Sequence, residues 1–341
     1  MTASSVNCSF CGFLVTTRIY FSTEYKIIPI RFSEFSSDDM KFIDEVASVE
    51  VGSPRNASKR FQQRNERLAE ACSKGEKSGE WSESDRQHYL KTWERNDNFL
   101  VVPEKKFLIC VLPKCSSTSW HWIVRDMREP LSVGHEFGWQ DRQKNTEIAQ
   151  QLEASVGLQL LNDQSAVRAI AVRHPFGKLI SGWNQKLARD TTYSSFLMEA
   201  YPLMKRFASS KDKHHVLTFE DFMDYLAAYG NNKDNLDYHF LPMKHLCKPC
   251  LYPYNLVIKQ EALGVDEKWL ASVLNVTHLP WKEKGPGYKN DKPSEPVEVI
   301  RTYFRNVKPS TINALKQLYY YDFAIFGYSF DTKTLTAGGL R

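Results

Sequence analysis

Two apolar runs, each ending abruptly in a polar loop that opens into a helix-patterned stretch, constrain the fold of this chain more than any other feature. Residues 107–112 read FLICVL, stop at Pro113 and pass into a small polar loop. From Ser119 onward, Trp120, Ile123, Val124 and Met127 recur at the spacing of one helix face. Residues 166–172, AVRAIAV, repeat the pattern and run through Arg173, His174 and Pro175 toward Leu179, Ile180, Trp183 and Leu187. Short continuous apolar runs are the form of strands buried on both faces. Strands alternating with helices predict an α/β fold with a largely parallel sheet.

Further helices are expected at 145–161, 219–229 and 310–320, and a surface helix over 64–76 through Leu68 and Cys72. Of 341 residues, 42% are hydrophobic and 25% charged, which excludes collagen-like, coiled-coil and wholly disordered chains. The net charge of +5 is too small to indicate nucleic-acid binding, yet it is compatible with an anionic substrate. No window reaches the roughly 18 consecutive apolar residues of a membrane-spanning helix.

The loop after the first run carries Lys114 and the hydroxyls of Ser116, Ser117, Thr118 and Ser119. A helix N-terminus supplies backbone N–H groups and partial positive charge, so such a loop suits a phosphate or sulfate. An ordinary turn with a Ser or Thr cap is the alternative. It is not the glycine-rich loop of nucleotide triphosphatases, because Lys114 opens the loop and no glycine is present. In the second unit, Arg173 stands at a strand end, with Ser181 two helical turns on. Arginine gives forked, charge-assisted hydrogen bonds to a phosphate; the alternative is a salt bridge, with Ser181 facing water.

PKCSSTSW at 113–120 and VRHPFGKLISGWNQK at 172–186 together resemble the paired nucleotide-binding motifs of the Golgi carbohydrate sulfotransferases of the chondroitin/dermatan 4-O and HNK-1 type. LDYH at 236–239, LCKPC at 246–250, Tyr254, KQE at 259–261, YDF at 321–323 and FGY at 326–328 resemble further blocks of that family. The resemblance covers roughly residues 62–330, read as one domain between an N-terminal segment (1–61) and a tail (331–341). It implies the three-layer, P-loop-like fold of enzymes that use 3′-phosphoadenosine 5′-phosphosulfate (PAPS), with a glycan hydroxyl as acceptor. By the same resemblance Pro113, Lys114, Cys115, Ser116, Ser117, Thr118, Ser119 and Trp120 would hold the 5′-phosphosulfate. Arg173 and Ser181 would hold the 3′-phosphate. No metal is required. A catalytically weak nucleotide- or glycan-binding relative of the same fold is the alternative.

An acceptor hydroxyl needs a base, and His239 is the first candidate because it matches the histidine of the family's HW pair, here followed by Phe240. His121, His135 and His174 are the others considered, and Glu261 is read as a structural or ligand-positioning carboxylate. Cys247 and Cys250 could pair with Cys8 and Cys11 around zinc. Disulfides among Cys72, Cys110, Cys247 and Cys250 are preferred for a lumenal enzyme, with the pairing open. The resemblance further implies a Golgi membrane protein with its domain in the lumen. Residues 1–61 show no anchor and are read as a possibly incomplete stem. The sequons at Asn7, Asn56 and Asn275 carry meaning only in the secretory pathway. Lys282, Lys284, Lys289 and Lys292 form a basic loop that could guide an anion.

Overall fold

The structure, a computed structural model, describes residues 57–92, 98–129, 154–189, 191–208, 217–276 and 296–328, with isolated helical positions between 140 and 147. Residues 1–40 and 41–341 separate as two units, and all described residues lie in the second. Cys8, Cys11, Asn7, Asn56, His135, the basic loop at 282–292 and the first part of the expected 145–161 helix lie outside the described residues.

A four-stranded sheet runs in the order β1 (Phe99–Val102), β2 (Phe107–Val111), β3 (Val167–Val172) and β4 (Leu256–Lys259). β2, β3 and β4 are mutually parallel, with Cys110 opposite Ile170 and Val172 opposite Lys259. The edge strand β1 is antiparallel, joined to β2 by a tight turn in which Lys106 takes φ 46°. The expected parallel sheet is therefore present with one antiparallel edge. The carboxyl ends of all three parallel strands open on the same side, where ligands of such sheets collect.

Side chains alternate across a strand, so β2 serves two layers. Phe107, Ile109 and Val111 join Ala169, Ala171 and Ile258 in a core with Trp120, Ile123 and Val124 of α3 (Ser117–Arg128) and Leu270 of α9 (Leu263–Val273). Each large apolar side chain fully buried in this way contributes about 1.5–3 kcal/mol. Cys110 belongs to the opposite face and is bonded to Cys247.

Helix α1 (Ala57–Lys77) is longer and more buried than the expected surface helix, and it begins upstream of the expected boundary at residue 62. Its inward stripe includes two arginines, which conceals it from a hydrophobicity pattern. Arg60 and Arg64 both bond the carboxylate of Asp266 in α9; Arg64 Nη1 lies 2.9 Å from Oδ2, and Asp266 is 1% exposed. Cys72 is bonded to Cys250. Both CKPC cysteines are thus spent in disulfides, as preferred over zinc.

The remaining elements are α2 (Glu83–Thr92), α4 (Ala154–Asn162), α5 (Pro175–Lys186), α6 (Thr192–Ala200), α7 (Phe219–Tyr229), α8 (Met243–Cys247), α10 (Pro296–Phe304), α11 (Pro309–Leu318) and α12 (Tyr320–Phe326). The last of these explains the YDF motif. Asp322 is fully buried and accepts from Met243 N at 2.6 Å and Lys244 N at 3.0 Å, closing the start of α8. Burial raises its carboxyl to about 6 against these two N–H donors. Among the described residues, no helix is long and apolar enough to cross a membrane.

Candidate active site at the carboxyl ends of the parallel strands

The loop after β2 is tightly wound. Cys115 N donates to Leu112 O at 3.1 Å, while Lys114 (φ 67°) and Ser116 (φ 61°) sit in the left-handed region. Non-glycine residues held there store strain of about 1–3 kcal/mol each, a cost concentrated at functional sites. Ser116 is the N-cap of α3, yet its side chain makes no capping hydrogen bond. The helix therefore starts two residues before the expected Ser119, and the ordinary side-chain cap is not what shapes its entrance.

The eight residues of this loop divide by exposure. Pro113, Cys115, Ser119 and Trp120 are buried, whereas Lys114, Ser116 and Ser117 are half-buried and Thr118 is exposed. Cys115 offers its backbone and little else, because burial raises its thiol to about 12 and keeps it protonated. Lys114 Nζ donates to Gln185 Oε1 of α5 at 2.6 Å, so its cation extends toward the second motif.

The second motif meets the first directly. Arg173 Nη1 donates to Lys114 O at 3.2 Å. A Cβ on Gly177 would lie 3.3 Å from Arg173 Nε, so the glycine gives the guanidinium room along the first turn of α5. Ser181 is half-buried on the same helix. His174 is structural: its Nδ1 accepts from Phe176 N at 3.2 Å and caps α5. His174 N donates to Glu261 Oε1 at 2.7 Å, and Tyr328 OH donates to Glu261 Oε2 at 2.9 Å. Glu261 thus ties the end of β3 to the FGY motif.

His239 lies under α5 and is 7% exposed. Its Nδ1 is 2.6 Å from Asp237 Oδ1, and Asp237 also accepts from His239 N at 3.0 Å. Tyr193 OH approaches both, 3.3 Å from Asp237 Oδ2 and 3.3 Å from His239 Nδ1. Burial lowers the imidazole's affinity for a second proton; Asp237 opposes this, and the charges of Lys186 and Lys114 add to it. The carboxylate holds the proton on Nδ1 and leaves the lone pair on Nε2. The electrostatic reach of Lys114 to His239 links the base candidate to the first loop. His121, by contrast, is buried within α3.

Three contributors to this site escape sequence reasoning. Lys178 is fully buried in α5, and its ammonium donates to His239 O at 2.7 Å and Leu241 O at 2.9 Å. Burial lowers it to about 8. The available signal was a lysine set among Phe176, Leu179 and Ile180 in the first two turns of the helix, all of them buried. Asp237 lies within the LDYH block without a role being read from it, and Tyr193 gave no local signal. Gly182 completes the packing: a Cβ there would meet Phe240 Cε1 at 2.6 Å, so only glycine lets α5 lie this close to the histidine segment. Among the described residues, no group of three or more His, Cys, Asp or Glu is arranged to hold a metal.

Carbohydrate sulfotransferase 14 of Danio rerio is 24% identical over 257 residues, covering 70% of this chain and 64% of the relative. Carbohydrate sulfotransferase 10 of Danio rerio is 26% identical over 258 residues, covering 68% and 66%. Carbohydrate sulfotransferase 11 of Rattus norvegicus is 24% identical over 254 residues, covering 67% of each. The chain thus spans less than two thirds of the length of the first two relatives. No solved structure gives a significant match. The sequence profile described as "Sulfotransferase family" matches residues 97–329, a span that contains every strand of the sheet and both loops at its carboxyl edge. The chain belongs to the Sulfotransferase family.

Proposed function

We propose that this chain is a carbohydrate sulfotransferase that moves a sulfuryl group from PAPS to a glycan hydroxyl. One observation carries the reading: the hydrogen bond from Arg173 to Lys114 O brings the two motif loops, 59 residues apart, to one edge of the sheet. The donor carries anionic groups at both ends, and a cation stands in each loop. The residues of the first loop that are not buried are a lysine and three hydroxyl residues, a donor set that fits an oxyanion.

In this reading the exposed side of the 113–120 loop holds the 5′-phosphosulfate, and Arg173 with Ser181 holds the 3′-phosphate. PAPS supplies a sulfuryl group whose S–O bond breaks toward a phosphate already able to carry the electron pair. Lys114 and the α3 N-terminus stabilise the charge that develops on that leaving oxygen, as in phosphoryl transfer. His239 Nε2 takes the acceptor hydroxyl's proton as the acceptor oxygen bonds to sulfur. Asp237 holds the tautomer that makes this possible and stabilises the imidazolium formed.

A chondroitin-like chain, or a glycoprotein or glycolipid terminus, is the acceptor we favour, with anionic glycans suited to Lys114 and Lys186. Two disulfides favour an oxidising compartment, which the family resemblance narrows to the Golgi lumen with membrane attachment. The test is a titration with the desulfated nucleotide 3′-phosphoadenosine 5′-phosphate (PAP), followed by labelled-sulfate transfer to a panel of desulfated glycosaminoglycans. Nucleotide binding with transfer is expected. Binding without transfer to any acceptor would identify a catalytically weak relative instead.

A further inference from the structure

Phe196 and Tyr238 are the only large hydrophobic side chains strongly exposed among the described residues, at 56% and 46%. They stand far apart in sequence, yet both join the ring cluster around His239. Tyr238 lies 4.0 Å from His239 between ring centroids, tilted at 46°. Tyr193 lies 5.8 Å from His239, nearly perpendicular to it, and 6.0 Å from Phe196. Lys186 Nζ sits 3.7 Å above the Tyr193 ring. A continuous aromatic band therefore begins at the exposed Phe196, passes through the half-buried Tyr193 and the buried His239, which both contact Asp237, and ends at the exposed Tyr238.

Singly exposed apolar residues are ordinary, but two that flank a buried histidine–carboxylate pair are not scattered. The two inner rings are rigidified by hydrogen bonds and by the cation over Tyr193. The outer rings are left facing water, where their apolar faces gain by being covered. A ligand suited to this band has an apolar face and hydroxyls at its rim. A pyranose has both: the C–H groups of one face stack on an aromatic ring, and the hydroxyls project sideways toward hydrogen-bonding groups.

We propose that Tyr238, with Phe196 at the far end of the band, forms the acceptor-sugar platform, stacking a glycan pyranose beside His239. The proposal rests on the reading of His239 as the group that faces the acceptor, and it adds which side chains hold the sugar. Tyr238 acts through its ring face rather than its hydroxyl. The neighbouring cations, Lys186 and Lys114, make an acidic sugar next to the stacked one the better partner.

The test uses the whole chain with a desulfated chondroitin hexasaccharide, in the presence of PAP for binding and of PAPS for turnover. Tyr238→Ala should raise the acceptor KM about tenfold, a loss of the size expected for one aromatic stacking contact, with PAP affinity and thermal midpoint unchanged. Tyr238→Phe and Tyr238→Trp should retain wild-type KM, and Phe196→Ala should raise it about threefold. Saturation-transfer NMR should show sugar C–H protons contacting aromatic protons in the wild type and losing that contact in Tyr238→Ala. An unchanged KM in Tyr238→Ala, or a wild type that transfers sulfate without such contacts, would overturn the platform and leave the sulfotransferase reading standing. Aromatic contacts with the sugar in a protein that never transfers sulfate would sustain the platform and overturn the catalytic reading. A wild type that binds no saccharide overturns the platform.

Discussion

The guanidinium of Arg173 is hydrogen-bonded at 3.2 Å to the backbone carbonyl of Lys114, so the two motif loops are fastened side chain to main chain. Lys114 returns the contact by reaching Gln185 on the helix that follows Arg173. Because Lys114 also holds a left-handed backbone conformation, the arginine braces a strained turn, and in the proposed reading its other N–H groups meet the 3′-phosphate.

Arg173→Met should therefore weaken PAP binding about tenfold to a hundredfold, through loss of a charge-assisted contact to the 3′-phosphate. Binding of adenosine 5′-phosphate, which lacks that group, should change far less. Titration calorimetry with both nucleotides on both proteins checks this. Equal weakening for the two would assign Arg173 to the loop's shape alone.

The pH dependence follows from His239. Below its pKa the imidazolium has no lone pair to take a proton, so transfer falls on the acidic side. The pKa lies below the ordinary histidine value, chiefly because the ring is buried. Asp237 raises it, so Asp237→Asn should move the acidic limb to lower pH while also slowing transfer. Lys186 lowers it, so Lys186→Met should move the limb upward. His239→Ala should cost about 10²- to 10⁴-fold in kcat and abolish the limb. Profiles of kcat/KM from pH 4.5 to 8.5 read the two shifts and the loss of the limb.

How much of this was legible in the sequence depended on how local the cause was. β2 and β3 announce themselves as continuous apolar runs, and the helix at 219–229 matches its Thr218-capped boundaries. β1 and β4 have four residues each, too short for a period to declare itself. The antiparallel edge has no sequence signature at all. Helix α1 read as a surface element because Arg60 and Arg64 fill its buried stripe, and their partner Asp266 lies about 200 residues away. Lys114, Arg173 and Ser181 were legible as anion-binding groups at strand ends, with their roles narrowed by motif resemblance, and His239 was reached through the resemblance alone. Lys178 was not legible, because its role consists of two backbone carbonyls more than 60 residues on.

Lys178 should leave a trace in stability as well as in activity. Its folded pKa of about 8 lies below the value near 10.5 of an exposed lysine. The folded state thus gives up this proton earlier than the unfolded one, and its contribution to stability rises as pH increases from about 8 to 10.5. A neutral amine still has the two N–H groups that His239 O and Leu241 O require. Urea midpoints should show the wild type gaining on Lys178→Met across that window, by at most about 1.4 kcal/mol per pH unit. A constant difference would mean that the group does not titrate there.

The Cys110–Cys247 bond fastens the centre of β2 to the end of α8, just beyond the histidine segment. Replacing both cysteines by alanine should cost about 2–5 kcal/mol of stability. Denaturant unfolding of the double variant, compared with the wild type under oxidising and reducing conditions, checks it. Reduction opens Cys72–Cys250 in both proteins as well, so the wild type and the variant should differ under oxidising conditions and converge under reducing ones.

Sulfuryl transfer stabilised by Lys114 is tested by labelled-sulfate transfer from PAPS to desulfated chondroitin, run with the wild type and with Lys114→Ala. The wild type should transfer label, and the variant should fall at least about 10²-fold, the loss typical of removing one preorganised charge stabiliser. Its circular dichroism and thermal midpoint should stay those of the wild type. A folded Lys114→Ala protein with near-normal turnover would contradict the account.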